Sequence, residues 1–137
     1  MSTVHPFRDA VEAADPDAAI AALAPGVTFH SPAVFHPYTG RETVGALLRL
    51  VFETFEDFEY TDELTAPDGT HALIFRARVG ERAVEGLDLL RAGADGLVED
   101  FTVMIRPLSG LVALAQALGP KVEAAGLKAS EAGPGAA

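Results

Sequence analysis

The segment from residue 71 to residue 107 constrains the fold most, because it carries the pattern of three antiparallel strands joined by two reversals. Gly80 stands at the first central position of the first reversal, where a two-residue type II′ hairpin turn prefers glycine. Residues 93–96, Gly-Ala-Asp-Gly, supply the turn residues of the second reversal. The sequence therefore predicts a three-stranded meander.

Strand alternation in this meander sorts the side chains onto two faces. The first turn places Asp88 opposite Leu73, and the second, if Ala92 pairs with Leu97, places Asp88 opposite Phe101. The predicted inner face is nearly all apolar and carries Leu73, Phe75, Ala77, Val79, Val84, Gly86, Asp88, Leu90, Glu99, Phe101, Val103 and Ile105. A carboxylate in such a setting calls for a functional explanation.

Two interpretations of Asp88 are open at this point. Burial among apolar side chains would disfavour the charged form and raise the pKa of Asp88. A carboxyl with a raised pKa can donate a hydrogen bond to a developing oxyanion or act as a base near neutral pH. Alternatively, Asp88 is a structural residue, paired with an arginine or hydrogen-bonded to the backbone.

Composition limits the class of protein. A chain of 137 residues, 49% of them hydrophobic, is expected to form one domain with a sizeable core. It has no apolar run long enough for a membrane span, no signal-peptide pattern and no cysteine, so we expect a cytoplasmic protein. The net charge of −10 argues against nucleic acid as a partner, because phosphate contacts need clustered Lys and Arg.

The N-terminal third predicts two short helices and a strand. Pro6 suits the first turn of the first helix. Asp15 is expected to cap a second helix that begins at Pro16 and ends at Pro25-Gly26. Residues 27–31 alternate in polarity and predict a strand.

A longer helix follows a loop. Thr39 and Glu42 fit a capping box, and apolar residues recur at helical spacing to about residue 55. Residues 58–64 are a weakly patterned candidate strand.

A closing helix is predicted after the meander. Ser109 is its expected N-cap, and Gly119-Pro120 is expected to stop it. The domain would then span residues 1–119, and residues 120–137 would form a frayed or disordered tail.

Helices that segregate from an antiparallel sheet define an α+β fold. A curved sheet wrapped around the long helix would form a cone with a cavity at its open end. Gly86, on the inner face, suits a bend or a close approach by a ligand.

Five segments in this order resemble the nuclear transport factor 2-like superfamily: Asp15-Pro16-Asp17, residues 27–32, Thr39-Gly40-Arg41, residues 84–88 (VEGLD) and residues 96–100 (GLVED). The superfamily includes SnoaL-like polyketide cyclases and ketosteroid isomerases. The resemblance covers roughly residues 5 to 107 and implies the same conical α+β fold.

The resemblance also implies roles for single residues. Asp88 matches the ketosteroid isomerase aspartic acid that stays protonated and donates to the substrate oxyanion. The position of the isomerase base holds Ser31, and that of its helix tyrosine holds Phe7, so two of the three catalytic groups are absent. The superfamily's cyclases likewise rely on an acidic residue in an apolar cavity.

We expect a pocket that binds a small hydrophobic molecule. Its predicted wall comprises Phe7, Val27, Phe29, Ser31, His36, Tyr38, Phe52, Leu73, Phe75, Gly86, Leu90, Phe101, Val103 and Ile105. The protein would be an isomerase, cyclase or dehydratase with Asp88 as acid or base, or else a non-catalytic ligand-binding or dimeric assembly domain. A second polar group within reach of Asp88 would favour the enzyme, whereas an arginine locked onto it would favour the binding domain.

Other candidate groups are weaker. His30, His36 and Asp88 are metal-ligand types, but no short ligand motif supports a metal site. No metal and no cofactor are therefore predicted. His30 is expected to point away from the cavity, and Tyr38 could lie at its rim.

The outer face of the meander predicts a homodimer. Ile74, Leu87, Leu89 and Met104 form an apolar patch among charged residues there, which suggests burial against a partner. Arg76 and Arg78, on the same face, are expected to pair with acidic residues.

Overall fold

The computed structural model describes residues 6–129, and within them four helices lie on one six-stranded sheet. The elements are α1 (Pro6–Glu12), α2 (Pro16–Ala21), β1 (Leu23–His30), β2 (Tyr38–Thr39), α3 (Arg41–Thr54), β3 (Glu56–Thr65), β4 (His71–Val79), β5 (Arg82–Ala92), β6 (Val98–Arg106) and α4 (Leu108–Ala124). The strand order is β2-β1-β6-β5-β4-β3, and the neighbours are antiparallel except for the parallel pair β1–β6. The predicted α+β class is confirmed.

The start of α2 is as predicted, but its end is not. The backbone N–H of Ala18 donates to Asp15 Oδ1 at 3.1 Å, and Pro16 occupies the first turn. The helix ends at Ala21, and Pro25-Gly26 lies inside β1. Leu23 already pairs with β6, and an irregular register between Leu23 and Thr28 accommodates a proline that cannot donate to the ladder.

The start of α3 corrects the predicted capping box. Gly40, with φ of +94°, is the N-cap residue and has no side chain with which to cap the helix. Thr39 is not the N-cap because it belongs to β2 and pairs with Thr28 of β1. Arg41 ties the start of the helix to the sheet, since its Nε donates to the carbonyl oxygen of Leu23 at 2.9 Å.

The first hairpin of the meander has the predicted register. Val79 pairs with Arg82, and Leu73 lies opposite Asp88. Gly80 has φ of +59°, the left-handed conformation that the first central position of a type II′ turn requires.

The second hairpin departs from the predicted register by two residues. Asp88 lies opposite Val103 rather than Phe101, because Ala92 pairs with Val98 and an irregularity follows Arg91. An even shift leaves each side chain on its predicted face, so Phe101 and Val103 stay inside.

Glu99 is the exception. Its alternation predicts the inner face, although its place near the hairpin end predicts exposure to solvent. It is exposed, and Val98 is buried in its place. The irregular register at the start of β6 is the cause, because an extra residue there inverts the alternation.

The closing helix is longer than predicted. Ser109 lies inside α4 instead of capping it, because the helix already begins at Leu108 after Pro107. The helix passes through Gly119-Pro120 to Ala124, so the predicted stop is wrong. Packing holds this last turn, since Val122 lies against the core and Lys121 Nζ donates to Thr54 Oγ1 at 3.2 Å. The end of the predicted tail, residues 130–137, lies outside the described residues.

The core lies between the inner sheet face and the helices. Its largest fully buried side chains are Phe7, Leu23, Val27, Val44, Leu73, Phe75, Leu90 and Val98. No helix within residues 6–129 is long and apolar enough to cross a membrane.

Candidate functional site

A cavity of about 580 Å³ lies between the inner face of the sheet and helices α1, α3 and α4. Its volume falls within the roughly 300–1,000 Å³ typical of small-molecule sites. Nine aromatic side chains line it: Phe7, Phe29, Tyr38, Phe52, Phe55, Phe58, Tyr60, Phe75 and Phe101. The cavity is therefore suited to a flat or bulky apolar molecule.

Most residues of the predicted pocket do reach this cavity. Its wall includes Phe7, Phe29, Ser31, Tyr38, Phe52, Phe75, Asp88, Phe101, Val103 and Ile105. They come together because the inner positions of β1, β4, β5 and β6 face the apolar sides of α1 and α3.

Five residues of the predicted pocket are not on the wall. Val27, Leu73 and Leu90 are completely buried in the core. Gly86 lies under the ring of Phe75: a Cβ there would stand 2.2 Å from Phe75 Cζ. His36 is half-buried in the loop before β2, with its ring 6.0 Å from that of Phe35.

Asp88 is the charged group set deepest in the cavity wall. Strand pairing places it between Leu73 of β4 and Val103 of β6, and it is 5% exposed. Within residues 6–129 it has no ion-pair partner. Burial raises the pKa of Asp88 to about 7, and a hydrogen bond from Tyr60 acts in the opposite direction. The carboxyl can thus hold or release a proton near neutral pH.

Tyr60 is the partner that sequence reasoning missed. Its hydroxyl donates to Asp88 Oδ2 at 3.3 Å, and its ring lines the same cavity. Burial, followed by the nearby Asp88 charge, raises the pKa of the Tyr60 hydroxyl well above its usual value. The hydroxyl therefore remains a donor. The alternation of Phe58 and Tyr60 with exposed Glu59 was the signal that could have found it.

A second contact fixes the Tyr60 ring from α1. The Arg8 guanidinium carbon lies 5.3 Å from the ring centroid, within the range of a cation–π interaction. Arg8 also donates to Glu63 of β3 and to Glu12 of its own helix. Its charge is thus balanced by two carboxylates, and it does not ion-pair with Asp88.

The two central histidines lie away from the cavity. His30 Nε2 is 3.1 Å from Asp100 Oδ1, and His30 borders a separate groove that includes Phe35 and Met104. Neither His30 nor His36 lines the cavity that contains Asp88. Among the residues that the structure describes, no three His, Cys, Asp or Glu side chains are placed to hold a metal ion.

Ser31 lies at the end of β1, where the resemblance places the isomerase base. Its Oγ accepts a hydrogen bond from the backbone N–H of Ala33 at 3.0 Å, and it lines the cavity. A serine hydroxyl engaged in a turn cannot supply the carboxylate base of the isomerases.

Comparison with known families decides the classification. The family model of the SnoaL-like domain matches residues 4–106. The chain belongs to the SnoaL-like domain family. No curated protein matches it.

Solved structures share the fold of this SnoaL-like chain. A steroid delta-isomerase from Pseudomonas aeruginosa is 38% identical, with a TM-score of 0.82 and coverage of 87% of this chain and 88% of the isomerase. An uncharacterized protein with a cystatin-like fold from Silicibacter pomeroyi is 31% identical, with a TM-score of 0.81 and 89% of each chain covered. A SnoaL-like polyketide cyclase from Shewanella denitrificans is 13% identical, with a TM-score of 0.61 and coverage of 82% and 93%, a likeness of fold alone. The resemblance to the nuclear transport factor 2-like superfamily is confirmed.

Proposed function

We propose that this SnoaL-like protein is an acid–base enzyme that isomerises or cyclises an apolar carbonyl compound, with Asp88 as the group that moves the proton. The observation that supports this most is the pair formed by Asp88 and Tyr60 in a cavity whose wall is mostly apolar. A carboxyl whose pKa is near 7 matches the condition for general acid–base catalysis at neutral pH.

The proposed reaction uses the two groups in turn. Asp88, as carboxylate, removes a proton from the carbon next to the carbonyl, and the C–H electron pair moves to form an enolate. The Tyr60 hydroxyl is the donor available to the enolate oxygen. In a β,γ-unsaturated carbonyl compound the electron pair of the enolate is delocalised over a dienolate. The protonated Asp88 then returns the proton to the γ-carbon, the C=C bond moves into conjugation with the carbonyl, and the carboxylate is restored.

The identity of about two fifths to a steroid delta-isomerase supports proton transfer next to a carbonyl as the reaction class. Ser31 in the place of the isomerase base means that this chain needs another base, and Asp88 is the carboxylate on the deep wall of the cavity. Asp88 would then act as the base, a role that a different residue has in the isomerases.

A non-catalytic binding domain is the second candidate function. The observation that favours it is again Ser31, because the position of the isomerase base holds no carboxylate. The wall formed by the described residues has only two carboxylates, Asp88 and Glu12, and Glu12 pairs with Arg8 at the exposed end. In that case the cavity would hold an apolar ligand without turnover.

Exchange of carbon-bound protons tests the proposal without knowledge of the natural substrate. Apolar cyclic ketones of one to three rings would be incubated with the protein in D₂O, and loss of the protons next to the carbonyl would be followed by NMR. We expect the exchange rate to rise with pH through about 7 and then level off, because the carboxylate is the active form. Asp88→Asn should lower the rate by about 10²–10⁴-fold.

Asp100→Asn is the matched control, because Asp100 is a half-buried aspartate of the same sheet that does not line the cavity. It should leave the rate unchanged. Ketones that bind but do not exchange would support the binding domain, and equal rates for wild type and Asp88→Asn would refute catalysis by Asp88.

A further inference from the structure

Among residues 6–129, Asp88 is a carboxyl without a countercharge, and aromatic rings form much of the cavity wall around it. We propose that this cavity also binds a protonated amine with an apolar body, whose ammonium group pairs with the Asp88 carboxylate. The inference goes beyond the proposed reaction, because it concerns a cationic ligand and holds whether or not the protein turns over a carbonyl compound.

The hydrogen bonding of Asp88 leaves one carboxyl oxygen without a donor among residues 6–129. Tyr60 donates to Oδ2, and Oδ1 has no hydrogen-bond partner within residues 6–129. A trialkylammonium ion carries a single N–H, which matches the one free oxygen. The ligand would complete the hydrogen bonding of a carboxylate that the fold leaves half satisfied.

The surrounding rings suit a cation. Phe58 and Tyr60 are packed edge to face at 5.0 Å, and Phe75 stacks on Phe58 at 4.7 Å. All three line the cavity with Asp88. Aromatic faces attract ammonium groups and also contact the alkyl groups that the nitrogen carries, so the alkyl groups need no water.

No cation of the described chain competes for this position. The cavity wall contains no Lys, Arg or His from residues 6–129. Arg8, which lies over the Tyr60 ring, is held by Glu12 and Glu63. A buried ion pair is stabilising only where its geometry and hydrogen bonds are good. An ammonium N–H that reaches Oδ1 would supply both the charge and the hydrogen bond.

Asp88 controls the pH dependence of this binding. The other titratable groups on the wall are Tyr60 on β3, Tyr38 on β2 and Glu12 on α1, whereas α3, α4, β1, β4 and β6 contribute none. Both tyrosines have raised pKa values and stay neutral. Below about pH 7 the protonated Asp88 loses the ion pair, so amine binding should weaken with acid.

Two probes of equal size separate charge from shape. N,N-dimethylcyclohexylamine and cyclohexyl methyl ketone have the same number of heavy atoms, but only the amine is cationic. It stays protonated to about pH 10, as the lysine ammonium does. Calorimetric titration of wild-type protein should show amine binding about 100-fold tighter at pH 9 than at pH 5, as expected for one carboxyl with a pKa near 7. Binding of the ketone should not tighten.

Asp88→Asn provides the decisive variant. It should weaken amine binding at pH 9 at least tenfold and abolish the pH dependence, while the amide N–H still donates to the ketone. If this variant fails to fold, the wild-type comparison of the two probes at pH 5 and pH 9 decides. Amine affinity that is absent at pH 9, equal at both pH values or unchanged in a folded Asp88→Asn protein would overturn the proposal. Ketone exchange without amine binding would reject this inference alone.

Discussion

The two faces of strand β5 hold carboxylates in opposite ways. Glu85, on the outer face, lies 3.1 Å from Arg106 Nη1 and 3.5 Å from Arg76 Nε, and a third of its side chain is exposed. Asp88, three residues on and on the inner face, is 5% exposed and accepts a hydrogen bond from Tyr60. Water and two arginines surround Glu85, whereas desolvation decides the protonation of Asp88. Facing alone thus separates a surface carboxylate from a candidate acid–base group.

Asp88→Asn should have the largest effect on stability, and it should stabilise the protein. The pKa of Asp88 is about 7 in the folded chain against an ordinary 3.8, so the folded state holds the proton more tightly than the unfolded state. Stability is therefore lost as pH rises between these values, by about 4 kcal/mol in total. Urea unfolding at pH 8 should show the variant more stable by up to this amount, and the gap should narrow as pH falls toward 4.

Glu85→Gln is the matched control for that experiment. Because Glu85 is partly exposed and its ion pairs are screened, its loss should destabilise by under about 1 kcal/mol. If Asp88→Asn is less stable than wild type at pH 8 while Glu85→Gln changes stability little, desolvation does not dominate at Asp88. The buried carboxylate would then be stabilised by contacts beyond the hydrogen bond from Tyr60.

Gly86→Ala should have the next largest effect. A Cβ at this inner position would lie 2.2 Å from Cζ and 2.5 Å from Cε2 of Phe75, so the ring must move into the cavity. Overpacking of this kind costs about 1–3 kcal/mol. Thermal unfolding should show the loss for Gly86→Ala and little change for Gly26→Ala, where nothing lies within 4 Å. Equal effects would mean that Gly86 is not needed for the close approach of Phe75.

Leu87→Lys tests what the outer face does. Ile74, Leu87 and Leu89 are half-buried, and Met104 is 57% exposed, so the predicted dimer would cover an apolar strip between ion pairs. Light scattering at micromolar concentration should give a dimer for the wild type and a monomer for Leu87→Lys. A monomeric wild type would reject the dimer. Because Leu87 lies opposite the cavity face, ketone exchange should survive the substitution in a folded variant.

How far the sequence predicts this structure differs between its two hairpins. The two-residue turn at Gly80 allows only one register between β4 and β5, and the structure has that register. The longer second reversal includes a register irregularity. As a result, the pairing of β6 with β5 differs from the predicted pairing by two residues, and Glu99 points outward. Turn chemistry signals that a reversal occurs there, but an irregularity depends on packing between strands and has no comparable signal.

The candidate site was only partly predictable for a similar reason. Alternation within β5 was enough to place Asp88 inside. Tyr60 was missed because polar and apolar residues alternate only weakly along β3. In addition, the register of β3 against β4 shifts before Glu59 and again after Tyr60, which pairs with Phe75. The extension of α4 beyond Pro120 depends on contacts with α3 that outweigh the poor helix propensity of proline.

Both proposed roles of Asp88 require a desolvated carboxyl, and titration of Asp88 measures this directly. Carboxyl carbon NMR of the whole protein, followed from pH 3 to pH 9 with Asp88→Asn to assign the resonance, gives the pKa. The structure predicts a midpoint near 7, and Tyr60→Phe should raise it further because the carboxylate then loses its hydrogen bond. A midpoint at or below the ordinary 3.8 would mean that Asp88 is solvated or ion-paired, and would contradict both the proton-transfer role and the proposed amine site.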